Sequence, residues 1–597
     1  MIDRQQMAAL VWAGIGVAAI VGLLPRVRPV RAVWLPFLAL AALGLWTAIG
    51  IGWTESAERS FAEVARIAGY LGVLALVWLA VGRDNWRLVA AGLLSAGVLI
   101  CSLAVLSRFW PSLFPVDTVA KNLGARRLSY PFGYWNAIGC WAAMSTTMCL
   151  AWAAHARSGI VRALALAAVP VCVLALYFTV SRAALGGVVL GPAVVMALGG
   201  HRWLTLGLTA VAGVAGGAVV MVAREHQQLV LGISSQGAES VLPILVLASA
   251  ACAAIAYAAH RLGLGDRLRM GPRAARRGLL AGGVIALLIA VVVLPPVARD
   301  AWDQFSDGNS ARPVAANPDA RLVNLSGNRV NVWRSAWRAA KARPAKGIGS
   351  GTFEFWWNRD GDNGEFLKDA HSIYLENLLE LGVPGLLLLF AFLGGLAFAG
   401  IRGRAGLRSR GAIGVHAGLL GVFAVFLLQA GVDWIWESTA VMVLVLASAA
   451  VAASAGAAPH RRGEAPTSAS AAVALVLVAI LAVMAQLPGL ASERALAKSR
   501  EAFRAGSYDA AVARATTAIE AQPWGASGYA QRGLAFEGRD DLAGATRDLA
   551  VAQKNEPTNW RWALLAARVY AKRGDADGAE AALRQARRLR AHARVLK

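Results

Sequence analysis

The chain has 597 residues, 57% of them hydrophobic and only 16% charged. A soluble protein carries roughly a quarter charged residues, so the composition excludes a soluble enzyme and a disordered chain. The net charge of +24 sits in short clusters between long apolar runs. Positive-inside topology accounts for such clusters without any nucleic-acid partner.

A membrane span needs about 20 apolar residues. In chain order the runs predict an all-α polytopic bundle of about fourteen spans, near 7–24, 33–50, 64–82, 88–107, 134–154, 161–180, 183–200, 203–223, 241–260, 278–297, 371–400, 412–431, 437–455 and 470–489. No small-residue cleavage site follows the first run, which therefore reads as a retained span. Alternate loops carry 20 basic residues, from Arg26, Arg28 and Arg31 to Arg461 and Arg462, against Asp84, Asp266 and Glu464. That asymmetry puts those loops in the cytoplasm, and the 298–370 loop and the C-terminus outside it. Cys101, Cys140, Cys149, Cys172 and Cys252 all fall within apolar runs, with neither a disulfide framework nor zinc spacing.

Where charge is this rare, polar residues beside the outer face become candidates for chemistry. Arg182 stands in LYFTVSRAALGG, between two spans with almost no linker. It is either a guanidinium that binds phosphate bidentately or one that snorkels to a lipid headgroup. In GNRVNVWRSAWRAAKARPAKGIGSGTF (327–353), Arg329, Trp333, Trp337 and Ala340 recur at helical spacing before a break at Pro344. This predicts an amphipathic helix at the outer interface, with Arg329, Arg334 and Arg338 among its polar positions. GIGSG lacks the lysine and strand context of a phosphate-binding P-loop. His371 opens an apolar run in DAHSIYLENLLELGVPG, where helical spacing puts it on one face with Leu375 and Leu378. A histidine there is a base near neutral pH or an interfacial helix cap. Outer carboxylates are few (Glu55, Glu58, Asp369, Glu376, Asp433, Glu437), and no DxD pattern offers a metal site. No metal and no cofactor are expected.

After residue 490 the sequence becomes soluble and helix-forming. Pro523 and Pro557 are 34 apart, as are the columns Ala511, Ala545, Ala579 and Ala518, Ala552, Ala586. With Tyr529, Gly533, Phe536 and Leu549 this resembles the tetratricopeptide pattern, an α-solenoid whose groove takes a protein or peptide, or which caps the membrane domain. The expected domains are a membrane domain at 1–490 and a repeat domain at 491–597 outside the membrane.

Four motifs in order carry a resemblance to a known family: RLSYPFGYWNAIG (127–139), TVSRAALGG, the Arg/Trp helix with its GIGSGTF turn, and HSIYLENLLELGVPG. They resemble the O-antigen ligase and polymerase superfamily. The resemblance implies a metal-independent inverting glycosyltransferase that moves a glycan from undecaprenyl diphosphate to an acceptor hydroxyl outside the cytoplasmic (inner) membrane. It implies His371 as the catalytic base and Arg182 and Arg329 as diphosphate ligands, with Arg334, Arg338 and Asn136 as further substrate contacts. The chain departs from the family pattern at Ala183 and at Trp135, which precedes Asn136. The acceptor is a saccharide in the first reading and a protein in a second, an O-linked oligosaccharyltransferase. A third reading is a non-enzymatic membrane anchor displaying the repeats.

Overall fold

The computed structural model describes residues 4–23, 31–115, 127–268, 329–361, 366–456 and 469–590. All regular structure among these residues is helical, and ten helices are long and apolar enough to cross a membrane. The protein is an all-α, multi-pass membrane protein, the architecture that satisfies every backbone polar group inside lipid. The runs at 7–24, 183–200 and 437–455 form the shorter helices Arg4–Ile20, Arg182–Leu198 and Thr439–Ser454. The run at 278–297, residues 298–328 of the long loop, and Arg26, Arg28, Arg269, Arg273, Arg276, Arg277, Arg461 and Arg462 lie outside the described residues.

The chain divides into two compact units, each assembled from separated segments. The unit of 81–330 and 396–459 is built around the helix Trp135–His155, in which every residue but Trp135 and Trp152 is buried. Lipid supplies no hydrophobic force between helices, so close packing has to hold such a helix. Glycines provide it. Gly187 lies against Ala143 and Val425, Gly191 and Gly421 against Thr147, and Gly418 against Ala151. Histidines in this unit serve as structural hydrogen-bonding groups. His155 donates through Nδ1 to Ala151 O at 2.9 Å and accepts the His201 amide at 3.0 Å. His416 Nε2 lies 3.1 Å from the carbonyls of both Gly400 and Ala452.

The other unit joins residues 1–80, 331–395 and 460–597. Its N-terminal helix packs on Ala57–Ala80 and Ala469–Met484, around Trp12, Ile15, Ala75 and Ala479. The helix Ile373–Gly403 is broken at Gly382, where φ is 68° and ψ −170°. At 1.5 Å per residue, the stretch after the break rises roughly 30 Å, the thickness of a hydrocarbon core. The GIGSG turn is bonded onto the break. The amides of Ile348 and Gly349 donate to the carbonyls of Leu379 and Glu380 at 2.9 and 3.0 Å, and Val383 N donates to Pro344 O at 2.8 Å. The Glu380 carboxylate, 7% exposed, accepts the amides of Gly351 and Phe353 at 2.8 and 3.2 Å. These amides are committed to the protein itself. Indoles close the joint, with Trp46 Nε1 on Leu381 O at 2.8 Å and Trp53 Nε1 on Lys346 O at 3.1 Å.

Beyond Leu487 six helices alternate in antiparallel order, each packed on the next. The helices Tyr508–Ala521, Leu542–Asn555 and Ala576–Leu589 begin 34 residues apart. Each follows a residue in the left-handed region at the same register: Gly506 (φ 75°), Asp540 (φ 65°) and Gly574 (φ 78°). Asp541 and Asp575 then cap their helices by accepting the amides of Gly544 and Gly578, both at 2.8 Å. Five of the six column alanines are fully buried: Ala511, Ala545, Ala518, Ala552 and Ala586. Ala579, in the last described helix of the series, is only half-buried.

These helices are tied to the rest of their unit by buried carboxylates. Glu354, with its side chain 3% exposed, pairs with Arg59 at 2.8 Å and with Arg561 at 2.7 Å. Glu55 accepts from Arg359 at 3.0 Å and from Thr558 at 2.7 Å. Glu556 accepts from Ser56, Asn559 and Trp562 at 2.6, 2.8 and 2.9 Å. Burial opposes ionisation of Glu354, but Arg59 and Arg561 outweigh it and hold its pKa below the ordinary carboxylate value. A depressed folded-state pKa contributes stability that is complete above the unfolded value and is lost as pH falls through the folded one. Titrating below the usual carboxylate range is therefore expected to free the C-terminal helices first. Limited proteolysis across that acid window, in wild type and Glu354→Gln, checks this. The variant should release them at a higher pH. The turn gives a second expectation. A Cβ at Gly347 (φ 71°) would overlap the Glu380 carbonyl. Gly347→Ala should cost roughly 1–3 kcal/mol from backbone conformation alone and lower the melting temperature in detergent.

Candidate active site

The unit of 81–330 and 396–459 carries a polar cluster around Asp433, which is 1% exposed. A buried carboxylate is tolerated only when it is paired and hydrogen-bonded. Asp433 accepts from Tyr134 Oη at 2.6 Å, from the Asn136 amide group, from Arg329 at 3.4 Å and from Trp434 N at 2.9 Å. The Tyr134 and Trp434 rings stack at 4.0 Å between centroids. Asn136 and Arg329 thus meet on one carboxylate, although nearly 200 residues separate them. The Arg329 side chain is 28% exposed, so its guanidinium is oriented by Asp433 while part of it faces outward.

Arg182 is placed by a break between helices. Val169–Thr179 ends at Val180, which is left-handed at φ 49°, and Arg182 opens the next helix. Arg127 fastens this break by donating to the carbonyls of Thr179 and Val180, both at 2.7 Å, and to Asn136 Oδ1 at 3.3 Å. A cation at a helix C-terminus is favoured by the macrodipole, which is the position of Arg127. Arg182 occupies the opposite position, the positive N-terminal end, where an anion is stabilised by both the guanidinium and the helix. Arg182 is half-buried.

His371, Arg334 and Arg338 belong to the other unit. The helix there begins at Ile373, so His371 precedes it and does not share a helical face with Leu375 and Leu378. Its backbone is left-handed at φ 54°. This is uncommon for a residue with a side chain, and such outliers gather at functional positions. The residue before it is pinned at both backbone groups. Ala370 N donates to Glu376 at 3.2 Å, and Ala370 O accepts Trp333 Nε1 at 3.1 Å. Glu376 is therefore a capping group that reaches back past the helix start, as a capping-box glutamate does.

The helix Arg329–Ala342 buries Val332, Ser335, Ala336, Ala339 and Ala340, while Trp337 is 51% exposed. The small alanines allow close approach to Phe353 and Trp357, with Trp333 packed against the same cluster. Arg334 lies on the exposed face. Arg338 is engaged with Asp360 at 2.8 Å, and Ser335 donates to the same carboxylate at 2.6 Å. Burial opposes ionisation of Asp360, but these donors hold its pKa below the usual value.

Arg127 and Tyr134 sit inside the 127–139 motif without standing out in it. Asp433 stands only as one of the sparse outer carboxylates. No spacing rule connects residues so far apart in sequence, and charge rarity is the one signal that singles out Asp433.

Residues 229–390 match the family model described as O-antigen ligase. The similarity to the O-antigen ligase family covers that stretch of the chain. The matched stretch contains Arg329, Arg334, Arg338 and His371. No curated protein matches the chain.

Asp433→Ala leaves Tyr134, Asn136 and Arg329 without their shared acceptor. Removing one partner of a buried pair costs on the order of 3–5 kcal/mol. A lower melting temperature is expected, read by thermal unfolding in detergent. Asp433→Asn, which keeps the shape and part of the hydrogen bonding, should lose less.

Proposed function

We propose that the protein transfers a glycan from an undecaprenyl diphosphate donor to an acceptor hydroxyl on the outer face of the cytoplasmic membrane, with inversion and without a metal. The observation that carries this reading is the O-antigen ligase match over a stretch containing both Arg329 and His371. His371 takes the proton of the acceptor hydroxyl as its oxygen attacks the anomeric carbon. The new C–O bond forms on one face while the bond to the diphosphate breaks on the other, and the electron pair leaves with the phosphate oxygen. Arg182 and Arg329 bind the diphosphate and stabilise the charge that develops on it. Support for Arg329 comes from Asp433, which orients its guanidinium. Support for Arg182 comes from its place at a helix N-terminus. Asn136, Arg334 and Arg338 are secondary contacts in this reading. The C-terminal helices form a tetratricopeptide domain, outside the membrane, with a groove for a protein partner. The saccharide acceptor stands first and a protein acceptor second.

The left-handed backbone of His371 gives a sharp test. Glycine accepts φ 54° without strain. His371→Gly should therefore leave the melting temperature unchanged or slightly raised while abolishing transfer. A positioned base contributes roughly 10²- to 10⁴-fold to rate. The assay follows release of undecaprenyl diphosphate from a lipid-linked oligosaccharide by purified protein in nanodiscs, with EDTA throughout. Release that persists in EDTA and falls by that factor in His371→Gly supports the reading. Release unchanged in the variant removes His371 as the base, and release lost in EDTA removes the metal-independent mechanism.

A further inference from the structure

We propose that Arg561 and Glu354 are positioning residues for His371, so that the C-terminal helices act as a brace for the loop that carries the base. The proposal rests on the reading of His371 given above. Arg561, on the helix Trp560–Lys572, makes two contacts at once. Its guanidinium donates to Glu354 Oε1 at 2.7 Å and covers the ring of Phe366 at 5.4 Å from the centroid. Phe366 is 53% exposed and stands five residues before His371. Arg561 therefore touches both the short helix Phe353–Asp360 and Phe366, on the approach to the base.

Glu354 sits on the short helix Phe353–Asp360, and the two faces of that helix do different work. One face is gripped by charge. Arg59 holds Glu354 Oε2 at 2.8 Å and lies 4.2 Å from the centroid of Phe355. The other face is apolar. Phe353 and Trp357, at 0% and 1% exposure, pack in one cluster with Ala370 and Leu379, with Leu367 against its edge. Ala370 is the residue whose amide and carbonyl are both pinned, immediately before the left-handed His371. A shift of the short helix is thus passed to the layer beneath Ala370, because packed interiors move as units and do not compress. Catalysis by a positioned base is sensitive to displacements of about 1 Å. The brace explains why a buried carboxylate with two arginine partners is placed at this helix.

The test uses the full-length protein in nanodiscs and two readouts. Amide hydrogen exchange is followed over 353–361 and 366–372 in wild type, Arg561→Ala, Arg561→Lys and Glu354→Gln. Arg584→Ala, which removes an exposed pair with Glu580, is the control. Arg561→Ala should raise exchange in 366–372 about tenfold, the scale of losing one charge-assisted hydrogen bond, while Arg584→Ala leaves it unchanged. Transfer by Arg561→Ala should show kcat lowered by a similar factor with KM for the donor unchanged, and Arg561→Lys should recover most of it. Glu354→Gln, the mildest change, should move both readouts in the same direction. Exchange in 366–372 that does not respond to Arg561→Ala or Glu354→Gln overturns the proposal. The exchange readout needs no substrate, so a failure of the transferase reading leaves the brace still decidable. An exchange response with unchanged kcat overturns the positioning role.

Discussion

The interruption of one long helix at Gly382 is the constraint on which much of the surrounding unit depends. A helix break inside a membrane protein exposes amides and carbonyls that lipid cannot satisfy. Here the freed groups are met by another interruption, the GIGSG turn, and the two irregular segments complete one another's hydrogen bonds. Glu380 supplies the acceptors that backbone alone does not, and Trp46 and Trp53 close the joint from the N-terminal segment. Four positions in the joint need φ between 68° and 109°, which is why glycine occupies Gly347, Gly349, Gly351 and Gly382. The glycines serve the joint, and the resemblance of the turn to a phosphate loop is superficial.

Buried carboxylates organise both units by the same physical rule. An ionised group away from water is stable only if its lone pairs are filled, and then it fixes the groups that fill them. Asp433 collects a phenol, an amide group, a guanidinium and a backbone N–H. Glu354 collects two guanidinium groups from segments about 500 residues apart in sequence. In each case the carboxylate fixes the geometry of the groups that fill it, and those partners offset the desolvation of its charge.

Ten membrane-length helices were legible in the sequence because their apolar runs are long enough to be decided by composition alone. The 34-residue period was legible because small residues recur where helices must approach closely. Arg182 and His371 stood out because charge is scarce around them. Other features could not be read. His371 has apolar residues at helical spacing after it, but Glu376 caps back to Ala370 and starts the helix two residues later. Trp337 follows the pattern of a buried position, yet alanines take the contact because they are small. Asp433 and Glu354 owe their importance to partners brought near only by the fold. Glu55 and Glu58 stand in the sequence only as two of the sparse outer carboxylates, whereas they accept from Thr558 and from the Ser527 amide.

The three left-handed turns at Gly506, Asp540 and Gly574 carry a consequence for how this part of the chain can change length. Each turn ends one unit and starts the next with the same backbone geometry, and each helix touches chiefly its neighbours. A segment of 34 residues added or removed between two such turns meets identical junctions on both sides. The stretch between Asp540 and Gly574 carries Arg561, so its removal would also remove that arginine's grip on Glu354. Any other increment would rotate the following helices off their small-residue columns. The turns thus act as splice points, and they set the quantum in which this part of the chain can lengthen or shorten.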